Sequence, residues 1–140
     1  MTKVVSCGII ITDGNRVLVG HATECGFQYD IPKGRHEYGE KFIETAIREL
    51  KEETGLDVKE CQLTNLGRFE YTQTKDLELF LWPLESLPDI KSLNCTSYFT
   101  NVKGKTVPEF DGYKLVSFSD LKKYLRKPMY KVFQKIFQLS

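Results

Sequence analysis

Gly34-Arg-His-Glu-Tyr-Gly-Glu40, then Arg48-Glu-Leu-Lys-Glu-Glu-Thr-Gly-Leu56 after a seven-residue gap, is the stretch that decides the fold. It reads as a loop that feeds a helix. Phe42, Ile43, Ala46, Ile47 and Leu50 recur at helical spacing, so one stripe faces a core. At about 100° per residue, Glu49, Glu52 and Glu53 share an arc of about 100° beside that stripe. Gly55 follows as a natural helix stop.

Three carboxylates at the edge of a buried face repel one another and are costly to desolvate. A multivalent cation relieves that cost. Oxygen-rich sites suit hard ions such as Mg²⁺ or Mn²⁺, which commonly bridge protein carboxylates to substrate phosphates. The alternative is a solvated acidic face balanced by Lys41, Arg48 and Lys51.

The stretch resembles the signature of the Nudix hydrolases: Gly, five residues, Glu, seven residues, then Arg-Glu-apolar-x-Glu-Glu-x-Gly-apolar. Gly34, Glu40, Arg48, Glu49, Leu50, Glu52, Glu53, Gly55 and Leu56 fill every fixed position. The resemblance is strong over residues 29–56 and implies a specific architecture, a mixed β-sheet between helices in an α/β/α sandwich. The coarse pattern of strands flanking a central helix supports an α/β class independently.

The chain has 140 residues, which suits one domain over 1–140 with a real core. No repeat or linker divides it, and no apolar run is long enough to span a bilayer. No signal-peptide pattern precedes Val4-Val5. Cys7, Cys25, Cys61 and Cys95 are widely spaced with no CxxC, so reduced thiols in a cytoplasmic protein are expected. Net charge is +1 but uneven: residues 1–113 carry 13 Lys+Arg against 18 Asp+Glu, and residues 114–140 carry 7 against one. A basic tail beside an acidic centre suits a polyanionic substrate, although solvated helix faces account for the tail equally well.

Val4 to Thr12 reads as a strand buried on both faces, and Arg16 to His21 as its hairpin partner across Asp13-Gly14-Asn15. His21 reads as structural or surface, and His36 as the better candidate for touching phosphate, with plain loop surface as the alternative. Thr23 to Gln28 is a loop. Tyr29-Asp30-Ile31 is short and extended, and Pro32 then forces a bend. Lys33, Gly34 and Arg35 follow as a positive turn whose cations would hold phosphates. Leu63 to Thr72 and Leu77 to Trp82 read as two strands joined at 73–76. Tyr71 lies where a ring meets either a base or the core, and both readings stay open. Cys95 to Val102 is another strand. Ser119 is read as the cap of a short helix through Leu125, and Pro128 as the first position of a last helix. Met129, Val132, Phe133, Ile136 and Phe137 make that helix's apolar stripe.

Two further resemblances narrow the class. Pro32-Lys33-Gly34 is similar to the same position in Nudix enzymes that cleave diadenosine or diphosphoinositol polyphosphates. Pro108-Glu109-Phe110-Asp111-Gly112 with Tyr113-Lys-Leu-Val-Ser117 resembles bacterial RNA 5′-pyrophosphohydrolases, a branch close to diadenosine tetraphosphate hydrolases. Tyr113 and Leu115 depart from tryptophans in that branch.

The resemblance implies a hydrolase of phosphoanhydrides. It implies that Glu49, Glu52, Glu53, Glu109 and the Gly34 carbonyl hold Mg²⁺ or Mn²⁺, which activates water. Glu52 or Glu53 would accept the water's proton, and Arg48 and Glu40 would orient the carboxylates. Lys33, Arg35, Tyr29, Tyr71 and Phe110 are the substrate-binding candidates. The expected substrate is a dinucleoside polyphosphate such as diadenosine tetraphosphate, or a 5′-triphosphate RNA end. ADP-ribose, NADH, nucleoside triphosphates and diphosphoinositol polyphosphates stay open. No strong basic groove is legible, so modest, salt-sensitive affinity for long RNA is expected. A non-catalytic nucleotide- or RNA-binding Nudix domain is the rival, and the intact set of motif glutamates argues against it.

Overall fold

The computed structural model describes residues 3–139; residues 1, 2 and 140, the ends of the expected domain, lie outside them. Strand β1 (Val4–Thr12) turns through Asp13, whose carboxylate accepts the Asn15 and Arg16 amides at 2.9 and 2.8 Å, into β2 (Arg16–Ala22). The two pair at Thr12 and Val17, and a wedge of chain enters between them further along. That wedge is β3 (Tyr29–Asp30) and β4 (Lys33–Arg35). β3 pairs with β2, and after Pro32 β4 pairs with β1, matching Gly8 to Lys33 and Cys7 to Gly34. The positive turn expected at Lys33 to Arg35 is therefore a strand. The parting of β1 from β2 leaves backbone donors and acceptors on β1 that these residues satisfy.

Helix α1 (Phe42–Thr54) starts where the Glu44 carboxylate accepts the Lys41 amide at 2.7 Å and stops at Gly55, whose φ is 79°. Strands β5 (Thr64–Glu70) and β6 (Lys75–Pro83) follow, so the connection lies at 71–74, two residues earlier than expected. The Tyr71 and Thr72 amides both donate to the Lys75 carbonyl, which closes the turn there. β7 (Tyr98–Thr100) is the short core of the strand expected over Cys95 to Val102. It pairs with β8 (Thr106–Pro108) in a separate two-stranded sheet. β9 (Phe110–Ser117) returns to the main sheet beside β2. Helices α2 (Leu121–Tyr124) and α3 (Lys127–Phe137) close the chain. Ser119 does not cap α2; it sits inside a 3₁₀ turn with its hydroxyl on Ser117, because Phe118 to Asp120 already coil. Pro128 is the second residue of α3, still within the turn that needs no amide donor.

The main sheet runs β3-β2-β1-β6-β5, with β4 on β1 and β9 on β2. β1 and β6 are parallel and the other pairs antiparallel, so the sheet is mixed. Alternation along β1 sends Cys7, Ile9 and Ile11 to one face, where they meet Ala46 and Leu50 of α1. Ile10 goes to the other face and joins Leu121, Met129, Val132 and Phe133. The result is an α/β/α sandwich with a core on each side of the sheet. Each fully buried large aliphatic or aromatic side chain there contributes about 1.5–3 kcal/mol. Among the described residues no helix is long and apolar enough to cross a membrane. All four cysteines are free thiols, with Cys7 and Cys95 buried.

Candidate active site

The carboxylates of α1 are graded by depth. Glu53 is buried, Glu49 nearly so, and Glu52 open at 37 % side-chain exposure. The helical register alone sets this order, because Glu53 and Glu49 are one turn apart on the flank nearest the sheet. The Glu53 carboxylate accepts the backbone amide of Lys33 at 3.0 Å. Burial, then repulsion from Glu49, pushes the Glu53 carboxyl up to about 9. Burial, then Glu52, raises Glu49 to about 7 against the pull of Arg48. Glu109 adds to that repulsion, so the second carboxylate segment is brought into the field of the first.

Gly34 lies against Glu49 so closely that a Cβ there would overlap the carboxylate. The glycine is required for contact between β4 and α1, and not for its backbone angles.

Arg48 holds the acidic cluster together. Its Nε and Nη2 donate to Glu40 at 2.9 and 3.1 Å, and its Nη1 spans Glu49 at 2.7 Å and Glu52 at 3.1 Å. Those hydrogen bonds from Arg48 drive the Glu40 carboxyl down to about 2. Among the described residues no three His, Cys, Asp or Glu side chains converge on one point at ligand distance. The guanidinium instead occupies the span between Glu49 and Glu52. The donor set fits a hard divalent ion: buried oxygens, excess negative charge and a glycine backbone pressed against a carboxylate.

The C-terminal turn of α1 is unusually well tied. Its last four carbonyls would lack helical partners. Here Lys51 accepts from the Gly55 amide, Glu52 from the Thr96 amide and hydroxyl, and Thr54 from the Asn94 amide. The Glu53 carbonyl accepts the Tyr113 hydroxyl. Tyr113 thus fixes the very turn that carries Glu52 and Glu53, across 60 residues of sequence. Sequence reasoning noted Tyr113 only as a departure from tryptophan.

Several candidates sit elsewhere than expected. The Lys33 ammonium is ion-paired to Asp30 at 2.8 Å and lies 5.8 Å from the Tyr71 ring centre, so it is not free for a distal phosphate. Burial opposes its charge, but Asp30 outweighs burial and holds the amine protonated above the ordinary lysine value. Arg35 is exposed and remains available. His36 is engaged within the protein: its Nε2 is 2.7 Å from the Glu40 carbonyl and its ring packs on Phe42. His21 is structural, as expected, held between Asp111 and the Gly26 carbonyl. Phe110 is buried over Gly20 and offers no face to a base. Tyr29 packs edge-on between His21 and Tyr124. Tyr71 is half-buried against the core, and its buried hydroxyl has no hydrogen-bond partner. Lys75, which sequence reasoning missed, stands within electrostatic reach of Lys33 and Asp30, and Arg126, also missed, within reach of Tyr71 and Lys75.

A family model described as NUDIX domain matches residues 2–136. The chain belongs to the NUDIX family. A protein of Enterobacteria phage T4, the uncharacterized 17.7 kDa protein in the e-segB intergenic region, is 30% identical over 145 residues, covering 96% of each chain. Among solved structures, a C. elegans Ap4A hydrolase binary complex has a TM-score of 0.66 at 22% identity, covering 96% of each chain. The bifunctional NMN adenylyltransferase/ADP ribose pyrophosphatase of Francisella tularensis, complexed with AMP and a Mn ion, has a TM-score of 0.69 at 14% identity. The match covers 97% of this chain and 41% of that one. These likenesses confirm the Nudix fold, and family membership makes the chain a hydrolase acting on phosphoanhydrides.

Proposed function

We propose that the protein is a Mg²⁺- or Mn²⁺-dependent pyrophosphohydrolase that cleaves a phosphoanhydride in a nucleoside diphosphate-linked substrate. The observation that carries this reading is the seating of two deep carboxylates on one short strand: Glu49 against Gly34, and Glu53 on the Lys33 amide. Glu49, Glu52, Glu53, Glu109 and the Gly34 carbonyl would hold the metal. When bound, the ion offsets phosphate charge and lowers the pKa of a bound water.

In the reaction, the water oxygen forms a bond to phosphorus and the anhydride P–O bond breaks. The leaving phosphate departs with the electron pair, and the water's proton passes to a carboxylate. Glu52 or Glu53 takes that last role by family resemblance, and the Glu53 carboxylate is fixed in place by the Lys33 amide. Arg48 sets the side-chain directions of Glu40, Glu49 and Glu52. Arg35, Lys75 and Arg126 supply positive charge for the distal phosphates.

The favoured substrates are a dinucleoside polyphosphate such as diadenosine tetraphosphate and a 5′-triphosphate RNA end. The likeness to the Ap4A hydrolase structure supports the first, and the Pro108 to Gly112 segment supports the second. The test is a panel of these with ADP-ribose, NADH and nucleoside triphosphates, in Mg²⁺ and in Mn²⁺, with products resolved by chromatography. One substrate turned over strongly, and slowed about 10²- to 10⁴-fold in Glu53→Gln, is the expected result. No turnover of any substrate by a folded, metal-loaded chain overturns the reading.

A further inference from the structure

The mechanism leaves unused the basic face of α3. Lys127, Lys131 and Lys135 recur every four residues and so form one stripe. All three are exposed, and none has an acidic partner within 4 Å among the described residues. The one acid of residues 114–140, Asp120, is engaged by Lys123 at 3.4 Å. Solvated lysines on a convex helix would carry no meaning. These lysines line concave surface. A cleft of about 920 Å³ opens between the β5–β6 turn and α3, bordered by Lys3, Glu70, Tyr71, Lys127, Lys131 and Lys135, with Lys3 ion-paired to Asp76 at 3.1 Å. A second depression of about 310 Å³ shares Lys127 and Lys131 and adds Lys122 and Tyr130. The two meet along the α3 lysines, a track of cations with a half-buried tyrosine in each part.

The cleft connects to the carboxylates through a chain of packed residues. Tyr71 lines the cleft, Lys33 lies over the Tyr71 ring, and the Lys33 amide holds Glu53. Cations interleaved with aromatic rings suit single-stranded nucleic acid, in which phosphates meet the lysines and bases meet the rings. From Lys127 to Lys135 the stripe is about 12 Å long. That length spans only a few backbone phosphates of a single strand.

We infer that this track binds the single-stranded RNA chain behind a 5′ end presented to the carboxylates. The inference rests on the RNA reading of the proposed function for its link to catalysis, but not for binding itself. The lysines come from the N-terminus, α2 and α3, and only the packing of α3 beside β5 gathers them.

The test is fluorescence anisotropy of a labelled single-stranded RNA bearing a 5′-hydroxyl, which has no bond to cleave, across a salt series. The triple variant Lys127→Gln, Lys131→Gln, Lys135→Gln is expected to bind about tenfold or more weakly, with the log–log salt slope reduced by about 2. Diadenosine tetraphosphate turnover in the same variant stays within about twofold, which shows an intact fold and carboxylate site. Unchanged RNA affinity and slope in the triple variant overturn the track. So does tight binding to vesicles of phosphatidylcholine and phosphatidylserine with none to RNA. If the variant loses RNA binding while wild type never cleaves 5′-triphosphate RNA, the track stands and the RNA reading of the catalytic site falls.

Discussion

The Glu49 carboxylate lies directly against the α-carbon of Gly34, in the space a side chain at 34 would fill. Gly34→Ala is therefore expected to push Glu49 out of place without disturbing the two cores, which contain neither residue. A misplacement of about 1 Å at a catalytic site costs about 10²-fold in rate. Steady-state turnover on the preferred substrate, set beside an unchanged circular dichroism spectrum, checks this.

Lys33 and Asp30 form an ion pair with less than a fifth of either side chain exposed. Removing one partner strands the other. Lys33→Ala is expected to destabilise the fold by about 3 kcal/mol, measured by urea unfolding, because Asp30 is left without its cation. The double variant Asp30→Asn, Lys33→Met is expected to recover much of that loss. A Lys33→Ala chain of wild-type stability with only weakened substrate affinity would return Lys33 to the phosphate-binding role.

Phe110 covers Gly20 so closely that a Cβ at 20 would overlap its ring. Gly20→Ala is expected to cost about 1–3 kcal/mol through overpacking. Adding Phe110→Leu is expected to relieve part of that cost, and a double-mutant cycle measures the coupling.

His21 is held on one side by the Gly26 carbonyl, on the other by Asp111 of β9, and its ring meets Tyr29 of β3. The Gly26 carbonyl, then Asp111, raises its pKa above the ordinary 6.5. A raised folded-state pKa means stabilisation that is full below about 6.5 and lost as pH rises through the folded value. The melting temperature of wild type minus that of His21→Gln is expected to shrink with rising pH across that window. A difference flat in pH would remove the charge from the account.

Much of α1 was legible because it is local. The apolar stripe, the three-glutamate arc and the Gly55 stop each depend on residues within a few turns of one another. Phe110 and His36 were misread because a ring in a loop segment looks the same in sequence whether it covers a strand glycine, stacks on Phe42 or faces ligand. Lys33 was misread because the anion that claims it is three residues away on the far side of Pro32, and β3 and β4 had first to seat on different strands.

Sequence by itself determined the helix register that puts Glu49, Glu52 and Glu53 on one arc, the Gly55 stop, and the family to which the chain belongs. Those depend on periodicity and on residue size, which the chain carries at every position. Tertiary structure alone decided that Tyr113 and residues 94–96 tie down the last carbonyls of α1, that Asp30 claims Lys33, and that scattered lysines share one track beside Tyr71. Most of these join distant residues, Tyr113 and Glu53 across 60 positions, and nothing local encodes them; the mixed sheet and the helices packed on its two faces bring them together.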